Sequence, residues 1–459
     1  MEQNDSWWLR PCGGIDVLRQ AIPLIVSWGS VSLMNFTDRV FLAYLPGDSM
    51  TASFSGGMLF WTTVSLPMAT AALVTTFVAQ YHGSGNYHRI GRVVWQGIWF
   101  GFVMMPVFLL LFEQFSQTFL WFGHDIKLIE LERTYYFYLL LGSAATISGE
   151  AAASFFRGQG KMHVEMFNNI FCVMLNIVLD YCLIFGHFGF PEWGLAGAAI
   201  ATAFSQWVRF LNYTVLMYIH DHNAHKFHVL DGMVVDLPLM GRLCYYGIPS
   251  GLYTFTDTVT FTAFILIITG LGQVQRDATT IAFTLNSFTY IPINGIGVVV
   301  TSMVGNQLGQ NRPDLARRAT MTAQMFGWVY AGFFGIAFLV SPDVFLFPFA
   351  QSDEFAGVHD LSIVLLRFIA LYLLFDSCAM IFCSTLRGAG DTIFIAWIIG
   401  ISAPLMPVLC AVGTKFFGLG IIWCWSVLTA LVIVYCIGFS LRYRSKVWES
   451  MRVIEKEYV

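Results

Sequence analysis

Residues 392–441 read TIFIAWIIGISAPLMPVLCAVGTKFFGLGIIWCWSVLTALVIVYCIGFSL, with Lys415 as the only charge. Broken at KFFG, the stretch makes two apolar runs, 392–415 and 418–441. Each meets the about 20 residues that a helix needs to cross a bilayer core. The rest of the chain is written the same way. Of 459 residues, 57% are hydrophobic and only 11% charged, against roughly 25% charged in soluble globular chains. The 43 Phe, 18 Tyr and 14 Trp add an aromatic load unsuited to a water-exposed surface. A nucleic-acid binder, a disordered chain and an ordinary soluble enzyme are thereby excluded. The net charge of −4 carries no message about partners.

Working outward from that stretch, apolar runs bounded by charged or Gly/Pro/Asn turns predict twelve spans. Their limits are 17–45, 52–80, 91–113, 128–155, 163–186, 194–219, 240–269, 278–307, 315–341, 358–386, 392–415 and 418–441. The runs are continuous, so the spans are helices, which satisfy their own backbone hydrogen bonds in lipid, rather than alternating barrel strands. The polar N-terminus MEQNDSWWLRP leads into a run too long for a signal-peptide core, with no A-x-A-like site after it, and is read as retained. The nine cysteines show no paired spacing and read as small hydrophobes.

Basic residues orient the bundle. With both termini in the cytoplasm, 17 of the 24 Lys and Arg fall inside, including five in the tail from Arg442 to Lys456. Lys127, Arg133, Arg276 and Lys415 fall outside, and Arg39, Arg209 and Arg367 within spans. The loop 341–360 carries Asp343, Asp353, Glu354 and Asp360 and no basic residue.

Landmarks recur half a chain apart. Pro23 and Pro249, each in an Ile-Pro pair, are separated by 226 residues, and Pro67 and Pro292 by 225. QYHGSGNYHRIGR (80–92) and NQLGQNRPDLARR (306–318) put Gly83 and Gly309 226 apart. FFRGQGK (155–161) and TLRGAGD (385–391) put Arg157 and Arg387 230 apart, and Gly194 and Gly418 open the last spans 224 apart. Five ordered coincidences near one offset indicate a duplicated six-helix unit. An even span count relates the copies by a pseudo-two-fold axis along the membrane normal, with substrate expected between them near the midplane. The expected domains are an N-lobe at 1–219, a cytoplasmic linker at 220–239 and a C-lobe at 240–459.

An acid at the bilayer centre costs roughly 2.5–3.5 kcal/mol on insertion scales, so Asp38, Glu150, Asp180, Asp257 and Asp376 each require a reason. Asn176 and Asp180 lie four apart on one helical face, as do Tyr372 and Asp376. Each pair offers oxygens to Na⁺ or to a proton relay; an interhelical hydrogen bond is the plain alternative for any one acid. Glu150, among Gly and Ala, is read equally as functional or as packing. Arg209 and Arg367 are read as snorkelling or capping. HDHNAHKFH (220–228) reads as a solvated linker rather than a zinc site, lacking Cys or HExxH spacing. GQNRPDLARR lacks the GxxxxGK[ST] of a phosphate loop.

VGNQLGQNRPDLARRA (304–319), LRGAGDT (386–392), NIVLDYCLIFG (176–186) and GLAGAAIATA (194–203), with the doubled six-helix unit, resemble the MATE (multidrug and toxic compound extrusion) family, in its bacterial NorM-like or DinF-like branches. The resemblance covers nearly the whole chain. It implies a cation-coupled antiporter, not an enzyme, that expels organic cations in exchange for Na⁺ or H⁺, with no resident cofactor. It implies a monomeric, multi-pass protein of the bacterial cytoplasmic membrane, surrounded by lipid. It carries an N-lobe cation site onto Asp38, Asn176, Asp180 and Thr202, and a C-lobe site onto Asp257, Tyr372 and Asp376. The family more often has Glu where Asp257 stands and a small polar residue where Arg39 stands. Phe60, Trp61, Tyr253, Phe288 and Tyr290 could supply cation–π contacts to substrate. Two rivals remain open: a flippase or exporter of lipid-linked or anionic substrates in the same superfamily, and an intramembrane redox enzyme, which would need paired histidines within spans.

Overall fold

The computed structural model describes residues 7–45, 47–121, 124–224, 226–349 and 357–455. His225, Asp353, Glu354 and Lys456 lie outside the described residues. The apolar runs are helices throughout. In order they are α1 (Gly14–Ala43), α2 (Ser49–Ala72), α3 (Val74–Gly83), α4 (His88–Leu110), the short α5 (Phe112–Ser116) and α6 (Thr118–Trp121), α7 (Ile126–Leu141), α8 (Ser143–Arg157), α9 (Met162–Phe185) and α10 (Gly194–Ala224). There follow α11 (Leu237–Thr269), α12 (Gln273–Gly309), α13 (Pro313–Val340), the short α14 (Pro342–Leu346), α15 (His359–Ala389), α16 (Thr392–Ser402), α17 (Leu405–Phe416) and α18 (Ile421–Arg444). No strand is present among the described residues.

Ten helical stretches are long and apolar enough to cross a membrane, counting α2–α3 and α16–α17 as one each. The pair α7–α8, bent by 42° at Gly142, makes eleven. The expected sixth span is also helical, as the 31-residue α10, but Gln206 and Arg209 lower its mean hydropathy below the others. Their outer surfaces are what lipid demands and water would not tolerate: Phe333, Ile336 and Val340 on α13 stand exposed along one helix. α10 runs on to Ala224 and α11 begins at Leu237, leaving a segment whose carbonyls at Phe227, Val229 and Val234 accept bonds from Gly91 N, Trp95 Nε1 and Gln96 Nε2. His220 accepts a 2.6 Å bond from Lys161 Nζ, and His228 pairs with Asp231.

The chain forms two compact units. Among the described residues, one holds Ile22–Gly251 with Ile454 and Glu455; the other holds Leu252–Val453 with residues 7–21. The boundaries cut α1 just before Pro23 and α11 just after Pro249. In the first unit, small residues bring backbones together. Gly97 faces Ala151 and Gly101 faces Ser148, whose hydroxyl donates to the Ile98 carbonyl at 2.9 Å. In the second, Gly297 meets Ser384, Gly327 meets Ser377 and Gly388 meets the Thr301 backbone. Its apolar core centres on Trp425, fully buried and stacked on Phe283 at 5.1 Å.

One reading of the sequence is corrected. Arg209 does not snorkel: its Nη1 lies 3.4 Å from Glu150, and its Nη2 donates to the Thr146 carbonyl of α8 at 3.4 Å. Glu150 also binds Arg157 (2.7 Å), and Arg157 holds Glu165 through two bonds of 2.5 and 2.6 Å. Two acids and two arginines from α8, α9 and α10 thus neutralise one another inside the first unit, and Glu150 is a structural acid. Arg367 is exposed.

Removing one member of such a network strands the others. Arg157→Met is expected to cost about 3–5 kcal/mol, read as a lowered thermal midpoint of detergent-solubilised protein; an unchanged midpoint would show the network to be dispensable.

Candidate functional site

The acids that lack a basic partner are the informative ones. In the first unit, Asp38 lies five residues before the end of α1, and Asp180 five before the end of α9. Asn176 and Asp180 are fully buried, and Asp38 is half-buried. The Asp38 and Asp180 carboxyls approach closely enough for one shared proton to bond them. As carboxylates they have no donor between them. Asp38 Oδ1, both oxygens of Asp180 and both amide atoms of Asn176 are buried without a hydrogen-bond partner. Buried polar groups are almost always bonded, so five orphan atoms in one place make this pair the first unit's candidate site.

Arg39 acts on Asp38 electrostatically but forms no ion pair with either acid. It is exposed and lies over the Phe54 ring, 5.6 Å from its centre. Thr202 is half-buried on α10 and makes no hydrogen bond to the acid pair. Tyr135, buried on α7, stands within electrostatic range of both acids. Phe60 packs into the apolar cluster of Leu42, Tyr135 and Ile184, while Trp61 is exposed.

The second unit gathers a different set. Asp257, in mid-helix on α11, is exposed, and Asp376 on α15 is half-buried. They lie within electrostatic range of each other. Tyr372 is buried one turn from Asp376. Tyr253 accepts a 3.4 Å bond from Arg387 Nη1. Tyr290 is 45% exposed and senses both acids, so it belongs to this set; Phe288 is 63% exposed, and its carbonyl accepts from Tyr330. Tyr435 and Cys383, which sequence reasoning missed, also border Asp257.

Two further misses concern the first unit. Glu132 on α7 is fully buried, receives a hydrogen bond from Ser55 and lies 2.8 Å from His124 Nδ1. Glu165 is the buried partner of Arg157. Both fall inside predicted spans, so the charge count within spans was the signal available for them.

Membrane-length apolar helices in two units, carrying acids that no basic side chain pairs, are the build of a membrane transporter. Comparison gives the family. The MatE family model matches twice, at residues 23–182 and 249–412, and this chain belongs to that family, whose members are transporters and not enzymes. The two matches open on Pro23 and Pro249, the landmarks of the repeat, and the redox-enzyme reading is set aside. The multidrug resistance protein MdtK of Proteus mirabilis (strain HI4320) is 27% identical over 398 residues, 84% of this chain and 85% of its own. The probable multidrug resistance protein NorM of Thermotoga maritima is 25% identical over 451 residues, 97% and 95%. Two solved structures share the fold at a TM-score of 0.83. They are the eukaryotic MATE transporter AtDTX14, at 19% identity over 95% of this chain and 96% of its own, and a MOP superfamily transporter from Pyrococcus furiosus, at 18% over 94% and 96%.

Two neighbouring carboxylates without a cation destabilise the protein that holds them. Asp180→Asn is therefore expected to raise the stability of the ion-free protein by about 1–3 kcal/mol, as a higher thermal midpoint. A lowered midpoint would mean that the pair is a structural contact.

Proposed function

We propose that the chain is a cation-coupled antiporter that exports organic cations across the bacterial cytoplasmic membrane by alternating access. The observation that carries this reading is the Asp38–Asp180 pair, whose buried oxygens have no partner. Such a pair is comfortable only with a bound positive charge, which H⁺ or Na⁺ can supply together with Asn176 and Thr202. Asp257, Tyr372 and Asp376 form the second acidic site, and Tyr253, Tyr290, Phe288, Phe60 and Trp61 offer rings to a cationic substrate. The names of MdtK and NorM as multidrug resistance proteins support small organic substrates. Acids without bases also disfavour the anionic substrates of the flippase reading.

In the cycle, the outward-facing state loads the ion from outside. Loading neutralises the acids and weakens the hold on a cationic drug, which leaves; the inward-facing state then releases the ion and takes up drug. Only differential affinity between states can drive these steps. The membrane potential contributes about 2.3 kcal/mol per net charge per 100 mV, and one-for-one exchange of monovalent cations forgoes it. In this scheme the lobes 1–219 and 240–459 rock about the linker, both termini are cytoplasmic, and a monomer suffices.

The test is transport in proteoliposomes with imposed Na⁺ or pH gradients, using ethidium as substrate. At least one gradient is expected to drive efflux; failure of both would overturn the antiporter assignment for organic cations. Asp38→Asn and Asp180→Asn are each expected to lower coupled efflux by about 10²-fold or more, and full activity in both would remove the N-lobe site. The same comparison with Asp257→Asn and Asp376→Asn assigns the C-lobe acids.

A further inference from the structure

The second unit carries a pocket of about 410 Å³ that the acid sites do not use. It opens where α13 begins, at the end of the bundle that the basic residues place in the cytoplasm. Its charged wall is Arg10, from the segment ahead of α1, with Arg317 and Arg318 from the start of α13. Asp314 is the one acid among the lining residues, and it is exposed. The apolar wall is Trp7, Met321 and Met325. The segment ahead of α1 is fastened in place. Thr322 donates to the Cys12 carbonyl at 3.1 Å, and Trp7 and Trp8 pack on Phe326 at 5.6 and 6.0 Å. Gly13 permits the tight turn, since a methyl there would stand 2.6 Å from the Trp7 and Arg10 carbonyls.

The fold does not consume these arginines. Arg10 Nε and Arg317 Nε are buried with no hydrogen-bond partner. Arg317 lies 3.4 Å from Glu449, but among the described residues Arg10 and Arg318 form no ion pair. The other acid close by, Asp16, accepts from Cys12 N at 3.0 Å. A buried guanidinium without an acceptor is short of an anion, and its planar fork fits a phosphate through two parallel bonds. Past the arginines the same face of α13 turns apolar. Met321 and Met325 follow at helical spacing and are half-exposed, and Val329 beyond them is exposed. At 1.5 Å per residue, Met325 lies about 12 Å further along the helix than Arg317. Trp8 is half-exposed beside them, as tryptophans are at the level of lipid head groups. A soluble anion would use the arginines and leave the apolar strip bare; a phospholipid uses both.

We infer that this pocket binds an anionic phospholipid of the cytoplasmic leaflet, with the phosphodiester on Arg10, Arg317 and Arg318 and an acyl chain along Met321, Met325 and Val329. The inference goes beyond the antiporter reading and involves none of its coupling acids; from that reading it takes only the orientation of the bundle. Charge complementarity selects the ligand, because three arginines against one acid line the pocket. Basic pockets between helices on the cytoplasmic side suit anionic head groups, whereas a zwitterionic lipid brings a cation of its own that unpaired arginines repel. Bound there, the head group bridges Arg10 to the start of α13, so the lipid also holds the segment ahead of α1 in place.

The experiment titrates the detergent-solubilised full chain with dioleoylphosphatidylglycerol, dioleoylphosphatidylcholine or glycerol 3-phosphate. Bound lipid is read by native mass spectrometry, and the thermal midpoint is followed alongside. Phosphatidylglycerol is expected to be retained and to raise the midpoint, while phosphatidylcholine and glycerol 3-phosphate do neither. The double variant Arg10→Gln with Arg318→Gln is expected to bind phosphatidylglycerol about 30-fold more weakly, roughly fivefold for each arginine at an anionic surface. Arg444→Gln, exposed and outside the lining, leaves the affinity unchanged. Met321→Ser with Met325→Ser also weakens the lipid, through the lost apolar strip. The lipid-free midpoint reports folding, and Arg10→Gln alone, ahead of the first span, provides the same test should the double variant misfold. Wild-type affinity in the folded arginine variants, or equal retention of phosphatidylcholine, would overturn the site. A midpoint raised as far by glycerol 3-phosphate as by phosphatidylglycerol would make the ligand a soluble phosphate and overturn the lipid assignment. Micelles have no sides and the readout is not transport, so failure of the antiporter reading leaves this test standing.

Discussion

A carboxylate carried into a bilayer must find an opposite charge or take up a proton, and this chain meets that demand in two opposed ways. Glu150 and Glu165 are answered within the fold by Arg157 and Arg209, through contacts of 2.5 to 3.4 Å. Asp391 is answered likewise by Arg442 at 2.7 Å. These acids are spent on holding helices together. Asp38 and Asp180 are left facing each other with nothing between them. The difference separates scaffold from machinery more cleanly than burial does, since Glu165, Glu132 and Asp180 are all fully enclosed.

Much of the scaffold was legible because lipid imposes a length rule on sequence. A run of about 20 apolar residues has few alternatives to a helix, so every expected span is helical, and even the α16–α17 break falls at Ala403–Pro404, where proline interrupts. The site was legible in part, because Asn176 and Asp180 share a face at a spacing that needs no knowledge of other helices. What lay outside reach were partners on different helices. Nothing local tells Arg209 that Glu150 waits on α8, or Glu132 that Ser55 waits on α2. The short helices α5, α6 and α14 went unread for a related reason, since four or five residues carry too little periodicity to register.

The doubling of the chain extends to its helices and prolines but not to its acids. The residue 226 places after Asp38 is Phe264, fully buried in the apolar core beside Trp425; 226 before Asp257 stands Val31. The N-lobe pairs its acids across α1 and α9, whereas the C-lobe gathers Asp257 and Asp376 from α11 and α15 with four tyrosines. Duplication thus supplied two similar frames, and the chemistry diverged within them. In the proposed cycle, two unlike acid sets can respond to different ions, or to one ion at different concentrations, in a way that two copies of a single set cannot.

The end of the chain is bound as firmly as its middle. After α18, Trp448 and Val453 are fully buried, Arg452 reaches the Asn311 side chain, and Arg317 pairs with Glu449. Two residues on, the Ile454 carbonyl accepts from Arg242, and Glu455 accepts from Tyr81 at 2.5 Å and Arg89 at 3.1 Å. Arg89, Arg242 and Arg317, basic residues on the cytoplasmic side in the charge-based orientation, also grip this tail. For anyone engineering the protein, the residues from Trp448 to Glu455 are therefore not spare length. A truncation at Arg444 would expose a tryptophan-sized hollow and remove one partner each from Arg89, Arg242 and Arg317.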